Sequence, residues 1–246
     1  MKKFTVETKV IDFSDKSDPL VNKVYRETWP IRRQIFKANR KGNTMHPSLS
    51  FAEWIEITRK NPPLVMVNGS FIHSFVTHHQ KKFMNFRNFA DNLAPQVKSI
   101  HYFSCNNKEE NLHRFFGYLK RLPKFNVTNR IIPIERNTDS EKSVFVKAES
   151  IDMTIVAMDE AYDDENLSHV LVFARDPSLI PLFKKLNEIN VRVALVRAPN
   201  MPTSRALLAE ANFILDLNDV LESLNSYSDV RISSEESVTD SESEAA

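Results

Sequence analysis

The chain has 246 residues, a net charge of +1 and one cysteine, Cys105. This length suffices for one α/β domain with additions, and a single cysteine excludes both an internal disulfide and a cysteine-based zinc site. No apolar run approaches the roughly 18 residues that a membrane span requires. The three glycines are isolated, which excludes a Walker loop and a GxGxxG turn. We therefore expect an intracellular protein of the cytoplasm or nucleus, without a membrane partner.

Charge is distributed unevenly along the chain. Residues 1–41 carry eleven Lys or Arg and five acids, whereas the last 18 residues carry six acids and one Arg. A basic surface that faces a polyanion would explain the first run, and solvated surface with a disordered end explains both runs as well. We assign residues 1–62 to a helical N-terminal accessory segment, which includes a capping box of Ser50 and Glu53. Residues 226–246 are predicted to be a disordered acidic tail, and both segments are candidate contacts for protein partners.

Residues 63–225 alternate between strand and helix patterns and form the predicted main domain. Short apolar runs predict strands over 64–67, 97–104, 127–134, 170–174, 191–196 and 213–215. Apolar residues at helical spacing predict helices over 70–89, 108–121 and 148–166, from 177, from 204 and at the end of the domain. The polar stretch 137–143 is expected to be a solvent-exposed excursion. Uninterrupted apolar strands are typically covered on both faces, so we predict an α/β three-layer sandwich with a mainly parallel central sheet.

Acidic residues mark the predicted functional edge of this sheet. The helix over 148–166 has an apolar stripe, expected to face the sheet, that consists of Ile151, Ile155, Met158 and Tyr162. Asp152 and Asp159 border this stripe, about 10 Å apart along the helix axis. Asp176 follows a buried-type strand and precedes Pro177, which suits a helix N-cap. Ligands of open α/β sheets bind at the carboxyl ends of strands, so Asp176 lies where chemistry is expected.

Four motifs in this order resemble the NYN domains, the LabA-like branch of the PIN-like nucleases. They are VMVNGS, KAESIDMTIVAMD, VFARDPSLIPLFKKL and TSRALLAEANFILDL. The resemblance covers about residues 63–222 and is strongest over 146–217. It implies a PIN-like, Rossmann-like sandwich in which four acids at the strand ends bind Mg²⁺ or Mn²⁺ and hydrolyse RNA. In such sites a metal-bound water is the nucleophile near neutral pH.

The resemblance carries only part of the acidic site onto this chain. It assigns the catalytic positions to three acids, Asp152, Asp159 and Asp176. Three further acidic positions of the family are neutral here, and these are Asn68, Ser178 and Asn212. Asp152 and Asp176 would hold one Mg²⁺ or Mn²⁺ ion weakly, because amide and hydroxyl groups donate oxygen without charge. We therefore expect an RNA-binding or scaffold domain with reduced or lost nuclease activity.

Basic side chains near the strand ends are the candidate contacts for RNA phosphates. They are Arg175, Arg197, Arg205, Lys81 and Lys82. Two alternatives remain open: an active metal-dependent endoribonuclease that uses the three acids, and a domain used only for protein contacts, in which Asp176 is merely an N-cap. Cleavage that Asp176→Asn abolishes would favour the first alternative, and absence of RNA affinity at low salt would leave the second.

Overall fold

The fold is seen in a computed structural model. It describes residues 48–78, 82–106, 113–132 and 138–229. The compact unit that begins at Leu49 contains nearly all of these residues. Residues 1–47 of the predicted accessory segment and residues 230–246 of the predicted tail lie outside them. Across the described ranges, no helix combines the length and apolar character needed to cross a membrane.

A parallel sheet of six strands forms the middle layer. The strands described are β1 (Leu64–Asn68), β2 (Lys82–Met84), β3 (Ser99–Asn106), β4 (Phe125–Ile131), β5 (His169–Phe173), β6 (Arg192–Arg197), β7 (Phe213–Asp216) and β8 (Tyr227–Asp229). Six of them pair in the order β4-β3-β1-β5-β6-β7, all parallel. β2 and β8 form a separate antiparallel pair. The prediction of a mainly parallel central sheet is therefore confirmed.

Helices cover both faces of this sheet. Those described are α1 (Phe51–Thr58), α2 (Gly69–His78), α3 (Phe86–Leu93), α4 (His113–Leu119), α5 (Thr138–Asp163), α6 (Ile180–Glu188), α7 (Arg205–Glu210) and α8 (Leu217–Ser223). Side chains of β1 alternate between two cores because successive strand residues point to opposite faces. Val65 and Val67 pack with α1 to α4 and α8, while Leu64 and Met66 pack with α5 to α7. The three-layer sandwich is thus confirmed.

The first described helix is part of this domain. The Ser50 side chain accepts the backbone N–H of Glu53, and the Glu53 carboxylate accepts the N–H of Ser50, so the predicted capping box is confirmed. Phe51 and Trp54 are buried in the core beside α8. The Phe51 N–H also donates to Asp219 at 2.6 Å. Although the sequence placed this helix in the accessory segment, its apolar side is needed to cover the sheet.

Two predicted stretches near β2 are wrong. The helix expected over 70–89 ends at His78 and is followed by β2 and α3, because the Asn85 side chain accepts two N–H groups of α3 and starts a new helix. The acidic tail does not begin at 226, since Tyr227–Asp229 pair with β2. The stretch 138–143 is the first part of α5, which begins at Thr138. Local composition does not reveal the pairing of β2 with β8, which joins residues that are distant in the sequence.

The side of α5 that faces the sheet also differs from the prediction. Ile151, Ile155 and Tyr162 of the predicted stripe are 57%, 52% and 66% exposed. Met153 and Ala157 are buried in their place. Met153 and Ile155 are two residues apart, about 200° around the helix. Apolar periodicity identified the side of Ile151 and Ile155, which is exposed. The sheet contacts the side of Met153, where the polar neighbour Glu149 has hydrogen-bond partners at the strand ends.

Candidate functional site

Helix α5 crosses the sheet from the carboxyl ends of the strands, here called the carboxyl edge, to their amino ends, here called the amino edge. Near its middle, Glu149 accepts the backbone N–H of Cys105, close to the end of β3, at 3.0 Å. Near its end, Glu160 contacts Lys98, which directly precedes β3, at 2.8 Å. Asp159 is exposed beside Glu160. The structure therefore places Asp159 toward the opposite edge from Asp176 and does not bring these two predicted catalytic residues together.

Asn68 ends β1 at the carboxyl edge and is buried. Its Oδ1 accepts the backbone N–H of Phe71 at 2.8 Å, and its Nδ2 lies 3.8 Å from the Met153 sulfur. The chain then turns directly into α2 through Gly69, where a Cβ atom would lie only 2.6 Å from the carbonyl oxygen of Phe103. Asn68 therefore acts as a helix cap in a turn that is pressed against β3.

Glu149 is a buried carboxylate of this edge that the sequence analysis missed. It is 1% exposed, and its two oxygens accept the backbone N–H groups of Ser70 and Cys105 at 3.1 and 3.0 Å. Burial raises the pKa of Glu149 to about 7, although hydrogen bonds from Cys105, Ser70 and Asn68 oppose the shift. Glu149 lies one helical turn before Met153, and that spacing would have identified it had Met153 been assigned to the buried side.

Asp176 caps the helical turn that follows β5, as predicted. Its Oδ1 accepts the backbone N–H of Ser178 at 3.1 Å, and its Oδ2 accepts the hydroxyl of Ser150 at 2.7 Å. The Ser178 hydroxyl donates to the same oxygen. Ser178, a neutral residue where the resemblance implies an acid, therefore holds Asp176 in place. Three hydrogen bonds occupy this carboxylate.

Asp152 is paired with Arg130, a second residue that the sequence analysis missed. Arg130 Nε lies 3.1 Å from one carboxylate oxygen and Nη2 contacts the other, so the pair is bidentate. Asp152 is nearly buried, whereas the Arg130 side chain is 54% exposed. Asp152 and Ser150 point about 200° apart around α5. Arg130 and Asp176 therefore approach this helix from different sides.

Three of the five predicted RNA contacts lie at or beside the carboxyl ends of the central strands. Arg197 ends β6 and Arg205 begins α7, and both are exposed; Arg175, two residues after β5, is half-buried. Lys82 begins β2, in the separate strand pair, and Lys81 lies outside the described residues. Three arginines thus remain candidate contacts at or beside the carboxyl ends of neighbouring strands.

Asn212 has a structural role at the other edge of the sheet. It directly precedes β7, its Oδ1 accepts the backbone N–H of Val193 at 2.6 Å, and its own N–H donates to the Val193 carbonyl at 2.8 Å. Both residues lie at the amino ends of their strands. Asn212 therefore lies at the amino ends of the strands, and the structure does not bring it together with Asp176 at the carboxyl ends.

The donor groups at the carboxyl edge do not fit a divalent metal ion. Mg²⁺ and Mn²⁺ require oxygen ligands with free lone pairs, usually carboxylates. Asp152 is bound by a guanidinium that would repel a cation, and Asp176 accepts three hydrogen bonds. Among the described residues, no three His, Cys, Asp or Glu side chains form a group that could hold a metal. The weak site expected at Asp152 and Asp176 is thus not supported by the contacts of these residues.

Comparison with known proteins identifies the family. The NYN domain profile matches residues 65–228, more than half of the chain. No curated protein matches the chain. Similar solved structures include a protein of unknown function from Vibrio parahaemolyticus (17% identity, TM-score 0.49, 65% of this chain and 94% of that one). Another is a UDP-glucosyltransferase from Polygonum tinctorium (12% identity, TM-score 0.37, 55% of this chain and 29% of that one). The chain belongs to the NYN domain family, which implies a PIN-like, nuclease-type fold of RNA metabolism.

Proposed function

We propose that this NYN domain binds RNA at the carboxyl edge of its sheet and has reduced or lost nuclease activity. The observation that carries this proposal is that the acids of the edge are already engaged. Arg130 binds Asp152, two serine hydroxyls bind Asp176, and the end of β1 carries the amide of Asn68. Metal-dependent hydrolysis needs carboxylates that are free to position an ion and its water. Bound carboxylates favour RNA binding over RNA cleavage.

The arginines at this edge supply the attraction for RNA. Phosphate contacts by Arg and Lys account for most of the affinity in sequence-independent binding, and they weaken as salt rises. Arg197 and Arg205 are exposed, and Arg175 directly precedes Asp176. Its charge also reduces the repulsion between that carboxylate and a phosphate. The edge therefore combines engaged acids with accessible positive charge.

The decisive experiment incubates the full chain with labelled single-stranded RNA and Mn²⁺ and follows binding and cleavage together. We expect binding that weakens between 50 and 200 mM salt, about 0.7 in log Kd per unit of log salt for each phosphate contacted, and no cleavage. Cleavage that is abolished by Asp176→Asn would contradict the proposal. The double variant Arg197→Gln, Arg205→Gln should weaken binding.

A matched control uses the other end of the same strand. Arg192 is exposed at the amino end of β6, whereas Arg197 is at its carboxyl end. Arg192→Gln removes the same charge from the same strand and should leave RNA affinity unchanged. Equal losses for Arg192→Gln and Arg197→Gln would indicate a general charge effect instead of a site at the carboxyl edge.

An active ribonuclease is the second candidate, and one observation favours it. Glu149 adds a carboxylate at the carboxyl edge, beside Asn68. It is a third acid near these strand ends beside Asp152 and Asp176, although the three side chains do not form one metal-binding group. If this candidate is correct, Glu149→Gln and Asp176→Asn will each abolish Mn²⁺-dependent cleavage by the full chain.

A further inference from the structure

We propose that Arg130 is a preorganised, metal-independent binding site for an RNA phosphate, fixed in place by Asp152. The inference rests on the proposed function, because it names the chemistry by which this NYN domain holds RNA. The donor groups of the carboxyl edge do not fit a divalent ion. The Arg130 guanidinium supplies the positive charge for a phosphate instead.

The first observation is the contrast in exposure within the ion pair. The Asp152 side chain is 6% exposed, whereas that of Arg130 is 54% exposed. The carboxylate is thus an internal anchor, and the guanidinium is the part of the pair that solvent and ligands reach. A surface ion pair with two exposed partners would leave the arginine free to move.

The second observation is the number of donors that remain. A guanidinium carries five N–H groups in a rigid plane. Asp152 uses one at Nε and one at Nη2, so three remain for other acceptors. Phosphate oxygens accept from a guanidinium in the same bidentate manner as a carboxylate. Arg130 can therefore bind Asp152 and a phosphate together without rearranging.

The third observation is the setting of Arg130 in the sheet. It lies opposite Cys105 in the β3–β4 register, at the carboxyl edge. Burial raises the pKa of the Cys105 thiol to about 12, with Glu149 and Asp152 adding to the shift and Arg130 opposing it. The thiol is therefore uncharged at neutral pH and does not compete with a phosphate for Arg130. The neighbouring Asn129 side chain, which accepts from Asn106 at 2.9 Å, adds polar groups beside the site.

The test measures affinity of the full chain for a short single-stranded RNA by fluorescence anisotropy, in EDTA and in Mg²⁺, over a range of salt. We expect EDTA to leave the affinity of the wild-type chain unchanged. Arg130→Gln should weaken binding roughly tenfold, the loss typical of a charged hydrogen bond, and should reduce the salt slope by about 0.7, the value for one phosphate of a single strand. Arg192→Gln, at the amino edge, should change neither quantity.

A second variant keeps the proposal testable if Arg130→Gln impairs folding by leaving Asp152 unpaired. Arg130→Lys retains the charge and an ion pair but cannot bind Asp152 and a phosphate through one planar group. We expect it to keep the salt slope of the wild-type chain and to lose several-fold in affinity. Wild-type affinity in Arg130→Lys would overturn the requirement for a fixed guanidinium.

The outcomes separate this inference from the function on which it rests. If the wild-type chain binds RNA and Arg130→Gln matches it in affinity and salt slope, the Arg130 site is overturned and the proposed function stands. If EDTA removes binding and Mg²⁺ restores it, metal independence is overturned. If the wild-type chain shows no RNA binding at low salt, the proposed function itself fails.

Discussion

The two edges of the central sheet hold their charged side chains in different ways. At the amino edge, Lys98 contacts Glu160 and Asp164 at 2.8 and 3.0 Å, and all three side chains are about 30% exposed. At the carboxyl edge, Glu149 and Asp152 are almost fully buried and depend on backbone N–H groups and Arg130. Partly exposed pairs contribute little to stability, whereas buried carboxylates are tolerated only with specific partners. The last turn of α5 thus carries ordinary, partly exposed ion pairs, whereas its middle carries buried carboxylates with specific partners.

The largest expected difference between the edges is in pH dependence. The pKa of Glu149 rises from 4.5 to about 7 in the folded chain, so its contribution to the free energy of unfolding is fully present below pH 4.5 and is lost as pH rises through 7. The total is roughly 3 kcal/mol. Glu149→Gln should flatten this part of the profile, measured by urea unfolding from pH 5 to 8. The variant is also expected to be less stable at pH 5, because an amide oxygen replaces only one of two acceptors.

The control for this profile lies at the amino edge. Hydrogen bonding to Lys98 lowers the pKa of Asp164 from its ordinary value of 3.8. The contribution of Asp164 to the free energy of unfolding is therefore present above pH 3.8 and is lost in acid. This pH dependence is opposite in sign to that of Glu149. Asp164→Asn should leave the slope between pH 5 and 8 as it is in the wild-type chain. Equal slopes for the Glu149→Gln and wild-type chains would contradict the account of the carboxyl edge.

A substitution of intermediate effect tests how tightly the carboxyl edge is packed. In Gly69→Ala the new Cβ would lie 2.6 Å from the Phe103 carbonyl and 2.9 Å from the Tyr102 hydroxyl. We expect a loss of about 2 kcal/mol in the free energy of unfolding, because the backbone of β3 must shift. Gly117→Ala in α4 is the matched control, since it meets nothing within 4 Å and should stabilise the chain by up to about 1 kcal/mol. A Gly69→Ala chain as stable as the wild type would show that this turn has room to move.

The smallest effect is expected at the amino edge. Lys98→Gln removes the lysine that contacts both Glu160 and Asp164, where all three side chains are partly exposed to water. We expect a loss below about 1 kcal/mol in the free energy of unfolding, measured by urea denaturation and reduced further in high salt. A loss of several kcal/mol would remove the distinction between the two edges.

Parts of this fold could be predicted from the sequence because their signals are local. The middles of β1, β5 and β6 are continuous apolar runs. The helix cap at Asp176 is signalled by the proline that directly follows it. The exposed side of α5 could not be predicted, because this helix has apolar residues on two sides and only the strand ends decide between them. Arg130 and Asp152 are 22 residues apart on different elements. Their pairing depends on how α5 packs over β3, next to β4, and no spacing rule provides that arrangement.

β4 is an outer strand of the sheet, with β3 as its neighbour there. Outer strands open by local fluctuations more readily than central ones, since a single ladder of backbone hydrogen bonds holds them. The ion pair of Arg130 and Asp152 also fastens this strand to α5, which packs over the neighbouring β3. Opening of β4 must therefore break an ion pair along with the backbone ladder, and we expect this contact to slow hydrogen exchange of the β4 amides.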